Sequence, residues 1–315
     1  MTSTVTAGNR PGASAPGRIR LPLARRRRLE LWLFLIPGLV FFAAFFVYPL
    51  IYGIRLSTHD VTAGSFISGR ADFIGFDNFA AILNSPLLGI ALRNTITITV
   101  VAVTAELVIG LALALLFNRV FPGSRWLPLL ILLPWLLPSV VVATIWKWLL
   151  AGDGPLNDVL KLLGIPTRPW LADPDTALAF IIIVAVWASL PYWATILGAA
   201  LKQVPPEHLE AAQLDGAGPW KRLVHIIIPS IWPVVSVLVV MSVVYTLLIV
   251  DLVLALTGGG PANATVTLGL LSYRLAFEQF RFGVGGAYGM LLLVLSLGFA
   301  VFYVVLQRRQ ERSEQ

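Results

Sequence analysis

The chain is 315 residues long, 57% hydrophobic and only 12% charged, with a formal net charge of +7 and no Cys. A soluble domain carries about 25% charged residues, so there is too little polar surface here to cover a water-soluble fold, and the lack of Cys excludes disulfides and thiolate metal sites. The positive charge does not indicate nucleic acid, because the basic residues gather beside the ends of apolar runs, as membrane topology requires.

Residues 1–28 are rich in Ser, Thr, Ala, Gly, Pro and Arg, have no apolar face and close on Arg25 to Arg28. They read as a disordered basic tail. Leu31 to Ile51 follows without a charge, long enough for the roughly 20 helical residues that cross a hydrocarbon core. The apolar core of a secretory signal is about 7–15 residues long and leads to a small-residue cleavage site. This run is longer and leads into Tyr48-Pro49, so it is expected to remain as the first span.

Five further apolar runs are long enough to span: Ile96 to Phe117, Trp126 to Leu150, Ala177 to Leu201, Pro229 to Leu256 and Gly285 to Leu306. The expected fold is therefore all-α, a polytopic membrane protein of six transmembrane helices occupying residues 29–307, with a short C-terminal tail at 308–315. Six spans put both termini on one side. Seven of the 23 Lys and Arg fall in the N-terminal tail, and eight more follow the second, fourth and sixth runs. Basic residues mark the cytoplasmic face, so both termini are expected there. The segments 52–92, 151–175 and 257–283 are then external. Their Gly, Pro, Asn, aromatics and short amphipathic pieces read as ordered caps, and Asn157 is expected to be accessible from outside.

Little in the chain suggests catalysis. His59, His208 and His225 have no metal-ligating partner at helical spacing, and no G-x-x-x-x-G-K-[ST] occurs, so no phosphate-cradling loop for ATP is expected. Three charges fall within the spans: Glu106, Lys147 and Asp251. Lys147 lies near a span end, where its stem can snorkel. An acid near mid-membrane costs about 2.5–3.5 kcal/mol on insertion scales and usually faces a bundle interior or a wet cavity. Glu106 is read as structurally paired or cavity-facing, and Asp251 as facing a polar cavity. Gly285 and Gly289 form a G-x-x-x-G suited to close helix packing.

One stretch breaks the apolar pattern: "EHLEAAQLDGAGPWKRLVHIIIP", residues 207 to 229. Pro205 and Pro206 suit a helix start, Glu207 and Glu210 fit the positive end of its dipole, and Asp215-Gly216 supplies a stop. A helix over Pro206 to Leu214 is expected, then a second piece from Pro219-Trp220 that Pro229 bends or ends. Ala211 and Ala212 leave a surface with almost no side chain, which another protein could approach closely.

Glu210-Ala211-Ala212, Asp215-Gly216-Ala217 and Pro229 resemble the E-A-A-x-x-D-G-A loop of ABC importer permeases. "RNTITITV", "FNRVFPGSRWLPLLILLPWLLPSVVVATIWKWLLAGDGPLN", "WASLPY", "LTGGGPANATVTLGLLSYRLAF" and "FGVGGAYG" are similar in order and spacing to the carbohydrate branch of that family, of the maltose, lactose and glycerol-3-phosphate type. The resemblance implies a type I importer permease fold in the bacterial cytoplasmic membrane, with residues about 203–229 as the coupling loop. It implies that Glu210, Ala211, Ala212, Asp215, Gly216, Ala217 and Pro229 engage ATPase subunits, and it adds Tyr192 to Glu106 and Asp251 as candidates for the substrate path. The implied partners are a second homologous permease in a heterodimer, two ABC ATPase subunits that carry ATP and Mg, and an external binding protein or lipoprotein. No cofactor is expected on this chain itself. An ion-coupled secondary transporter would need coupled acids at mid-span, which Glu106 and Asp251 alone support thinly. A polytopic membrane enzyme would need a catalytic constellation.

Overall fold

The computed structural model describes residues 23–119, 122 and 126–313; the expected disorder of residues 1–22 lies outside them. Helix α1 (Leu23–Phe42) begins ahead of the Arg28 boundary expected for the tail. It continues through a π-helical turn at Ala43–Val47 into α2 (Tyr48–Thr58). Of the described residues, those up to Tyr52 form one unit and those from Gly53 onward a second. The stretch Trp32–Thr58 is long and apolar enough to cross a membrane.

In the second unit, α3 (Ala63–Ser68) and α4 (Asp77–Leu83) precede the long α5 (Pro86–Phe117). Helix α5 starts ten residues before the expected Ile96. Ser85 caps it by accepting from Leu87 N, and Pro86 at its first position has no N–H to strand. The same device starts α10: Asp173 accepts from Asp175 N, and Pro174 follows. An apolar window sees where a helix enters lipid, whereas the caps mark where it begins.

The expected continuous span from Trp126 to Leu150 is a broken one. It comprises α6 (Leu127–Ile131), α7 (Leu133–Leu136) and α8 (Ser139–Leu149), with a bend of 104° between the α6–α7 arm and α8. Pro138 forces the residue before it out of the helical region, and Leu137 accordingly sits at ψ 138°. Among the described residues, five helices are long and apolar enough to cross a membrane, and six spans result only if this bent pair is counted as one.

A cap follows with α9 (Pro155–Leu162), then α10 (Pro174–Leu201). Asn157 organises this cap from inside it. Its Nδ2 donates to the carbonyls of Ala151, Gly152 and Arg168, and its Oδ1 accepts from Arg168 N and Trp170 Nε1. It is fully buried, so the expectation of an accessible Asn157 fails: its two amide hydrogens are shared among three carbonyls and its oxygen takes two donors, so the groups it ties together enclose it.

Helix α11 (Pro206–Leu214) and α12 (Pro219–Arg222) lead through a π-helical turn at Leu223–Ile227 into α13 (Ile228–Leu247). Pro229 neither ends nor divides this span, which runs unbroken over Pro219–Leu247. A wider π turn, closed by Ile228 N donating to Leu223 O, directly precedes the proline. The expected span to Leu256 instead stops at Leu247, and α14 (Asp251–Leu256) is a separate helix. The chain ends with α15 (Leu268–Tyr273) and α16 (Phe282–Ser313).

Three apolar clusters hold the second unit. Ile98, Val142, Ile181 and Leu252 share one, and Ala114, Leu197 and Ile231 share another. α5 and α10 therefore run in the same direction, and α13 runs against them. Where α5 and α10 cross, a side chain at Gly110 would meet Trp193 Cβ at 2.7 Å. A third cluster joins α16 to α4, α5 and α15 through Ile82, Ala91, Leu268 and Tyr288. The Gly285-containing turn packs as its small residues suggest, with Ser272 Oγ donating to Gly285 O at 2.9 Å. The loop before α15 is pinned to α5: Asn94 Nδ2 donates to the carbonyls of Ala264 and Val266 at 2.9 Å, and Thr95 Oγ1 accepts from Leu268 N.

Candidate functional site

Two helix breaks meet at one place. Leu137 and Pro138, between α7 and α8, and Ile249, between α13 and α14, all line a cavity of about 520 Å³. That lies within the roughly 300–1,000 Å³ range of small-molecule sites. Backbone that leaves helical geometry at membrane depth is tolerated only where protein buries it or water reaches it, so the breaks and the cavity explain each other. The remaining wall is aromatic, apolar and hydroxyl-bearing. Trp135 stacks on Tyr192 with ring centroids 5.8 Å apart, and Ser139, Ser189, Trp193, Ser242 and Tyr245 complete the polar positions. Trp135 and Tyr245 remain 52% and 59% exposed, so one side of the cavity is open in the single chain.

Glu106 stands behind this wall, 1% exposed. Ser189 Oγ donates to its Oε1 at 2.6 Å, Trp193 Nε1 donates to its Oε2 at 3.0 Å, and Ser242 Oγ also donates to Oε2. The carboxylate thus joins α5, α10 and α13, and its three donors are themselves cavity residues.

Of the three substrate-path candidates, Tyr192 lines the cavity, Glu106 touches it only through its donors, and Asp251 is not on its wall. Asp251 lies beyond the end of α13 and is exposed in the first turn of α14, where an acid complements the helix dipole. Sequence reasoning missed Trp135, Ser189, Trp193 and Ser242. Pro134 and Pro138 were signals for the first break, but nothing in "LLIVDLV" announces the second.

The second candidate surface is the elbow at 206–229. Helix α11 closes with a Schellman arrangement: Gly216 N donates to Gln213 O at 3.1 Å and Ala217 N to Ala212 O at 2.8 Å. Gly216 holds φ +76°, where a side chain would be strained. Arg222 Nη1 donates to Gln213 Oε1 at 3.1 Å and braces the two arms. Leu209, Ile226 and Ile227 anchor the elbow against the cluster of α5, α10 and α13. Glu210, Ala211, Asp215, Gly216 and Pro229 are exposed, and Ala212 and Ala217 are half-buried. Leu214 and Trp220 project beside them at 89% and 73% exposure.

A family model described as "Binding-protein-dependent transport system inner membrane component" matches residues 106–312. The trehalose/maltose transport system permease protein of Thermococcus litoralis is 30% identical over 279 residues, covering 88% of this chain and 93% of that one. The lactose transport system permease protein of Rhizobium radiobacter is 32% identical over 303 residues, covering 92% and 98%. Among solved structures, a chain of a bacterial alginate ABC transporter in complex with an alginate pentasaccharide-bound periplasmic protein superposes with a TM-score of 0.79. It is 23% identical, with 91% of this chain and 96% of that one covered, a likeness of fold.

Proposed function

The chain belongs to the family of binding-protein-dependent transport system inner membrane components, and we propose that it is the sugar-translocating permease subunit of an ATP-driven ABC importer. The cavity formed where two helices break carries this reading, because it offers aromatic faces and hydroxyls inside an otherwise apolar bundle. Sugars present both apolar ring faces and hydroxyl edges, and such a wall suits both. The two curated relatives named for sugars support the choice of solute.

The open side of the cavity, with Trp135 and Tyr245 exposed, suits a second, related permease that supplies the other wall. The elbow of α11 and α12 is the surface for the ATPase subunits, two in the full assembly, which would carry ATP and Mg. Glu210, Ala211, Ala212, Asp215, Gly216 and Ala217 form its contact face, with Pro229 at the entry to the span. A rigid elbow conveys ATPase closure as a movement of whole helices. An external binding protein or lipoprotein delivers the solute, and both termini lie in the cytoplasm. The ion-coupled alternative loses its main support, since Glu106 is already bonded by three donors.

The test is uptake of radiolabelled sugars into proteoliposomes holding the chain with its partner subunits. Uptake should require ATP and the ATPase subunits. Uptake driven by an ion gradient alone would refute the reading. Charge reversal at a docking surface costs several kcal/mol, so Glu210→Lys should lower sugar-stimulated ATP hydrolysis by roughly tenfold or more while membrane insertion stays normal. Unimpaired transport by this variant would remove the elbow from the coupling path.

A further inference from the structure

Counting hydrogens around Glu106 gives the cavity wall a direction. A serine hydroxyl has one hydrogen and two lone pairs, and an indole N–H only donates. Ser189 Oγ lies 2.6 Å from both Glu106 Oε1 and Ala185 O, so whichever takes the hydrogen, it points away from the cavity. Ser242 Oγ donates to Glu106 Oε2, and Trp193 Nε1 donates to the same oxygen at 3.0 Å. All three hydrogens are used inward. Ser189 and Ser242, which line the cavity, therefore offer it lone pairs, with a buried carboxylate behind them and no charged side chain on the wall.

We propose that Glu106 is a positioning residue that sets the recognition polarity of the Ser189–Ser242 face of the cavity: this face accepts hydrogen bonds from the hydroxyls of an uncharged sugar and disfavours congeners that bring a carboxylate, sulfonate or phosphate against it. At these two serines an anionic group has only acceptors to bring to acceptors, and it approaches a like charge in a setting of low dielectric, while Trp135, Ser139, Tyr192 and Tyr245 can donate to either kind of sugar elsewhere on the wall. This rests on the sugar-permease reading and adds the class of sugar.

Two substitutions separate the lone pairs from the charge. In Glu106→Gln the amide has one accepting oxygen and a donating NH2: with the oxygen kept toward Ser242 and Trp193, the NH2 donates to Ser189 and takes up one of the lone pairs it offered to the cavity, the Ser189 hydrogen going to Ala185 O, and the charge is gone. Ser242→Ala removes one set of lone pairs and keeps the charge. The assay is ATP-driven uptake by the reconstituted complex of a panel of neutral mono- and disaccharides and of the matching aldonates and uronates. Wild type should carry an uncharged member and reject its acidic counterpart. Glu106→Gln should raise KM for the sugar by about tenfold, with most of the effect in KM and not in kcat, and reduce the neutral-to-acid selectivity by a similar factor. Ser242→Ala should raise KM by several-fold and leave the selectivity intact. If Glu106→Gln does not assemble with its partners, Ser189→Ala and Ser242→Ala decide: KM within twofold of wild type for both overturns the proposal. Acidic members carried as well as neutral ones by wild type also overturn it, with the sugar-permease reading intact. ATP-driven uptake of no panel member defeats that reading itself.

Discussion

Gly110 lies one helical turn beyond Glu106 on α5, and the two residues address the same partner. Glu106 accepts from the Trp193 indole, while Gly110 leaves room for the Trp193 backbone and Cβ to come close. Overpacking a filled contact costs about 1–3 kcal/mol. Gly110→Ala should therefore lower the melting temperature of the purified complex, whereas Gly198→Ala on α10, where a new Cβ meets nothing within 4 Å, should leave it unchanged or slightly raised. Equal melting temperatures for the two variants would mean that the close approach carries no stability. At this scale the sequence was half legible. Glu106 stood out because an acid in an apolar run is costly, but its donors are 83, 87 and 136 residues away, and only the fold brings them in.

Among the elements, helix starts and stops with local causes could be read from sequence, and those with distant causes could not. α11 begins and ends where Pro206 and Asp215-Gly216 require. The broken span was read as continuous because hydropathy is blind to backbone direction, although Pro134 and Pro138 were in view. Pro138 sustains the break by holding Leu137 extended. Pro138→Ala removes that constraint and restores a donor, letting α7 and α8 straighten toward one another. Transport should fall by several-fold, because Leu137 and Pro138 line the cavity, with insertion and expression preserved. A variant that transports at the parental rate would show that the bend is held by its surroundings and not by proline. The end of α13 at Leu247 had no local signal, and the same is true of Asp251 leaving the span.

For the whole molecule, orientation in the membrane is the property that most needs measurement. A Cys-free chain suits single-cysteine labelling, but Asn157 is the wrong place for the probe, since it is buried and bonded on all sides. Lys161, on the same cap and with 56% of its side chain exposed, is the better one. Lys161→Cys should react with an impermeant maleimide added to intact cells, and Ala217→Cys should react only after the membrane is opened. The reverse pattern would overturn the assignment of cytoplasmic termini.

The pinning of α5 by residues far along the chain also has a consequence for biogenesis. Asn94 donates to Val266 O across 172 residues, and Ser242 reaches Glu106 across 136. At about 5–20 residues per second, α5 waits on the order of 10–30 s on the ribosome with an amide and an acid whose final partners have not yet been made. During that interval the nascent helix must be sheltered by water, by the insertion machinery or by temporary contacts. Ribosome-released chains ending before Ser242 should be cleared by membrane proteases faster than chains extending past Leu268, as pulse-chase would reveal. Equal lifetimes would mean that α5 is content alone.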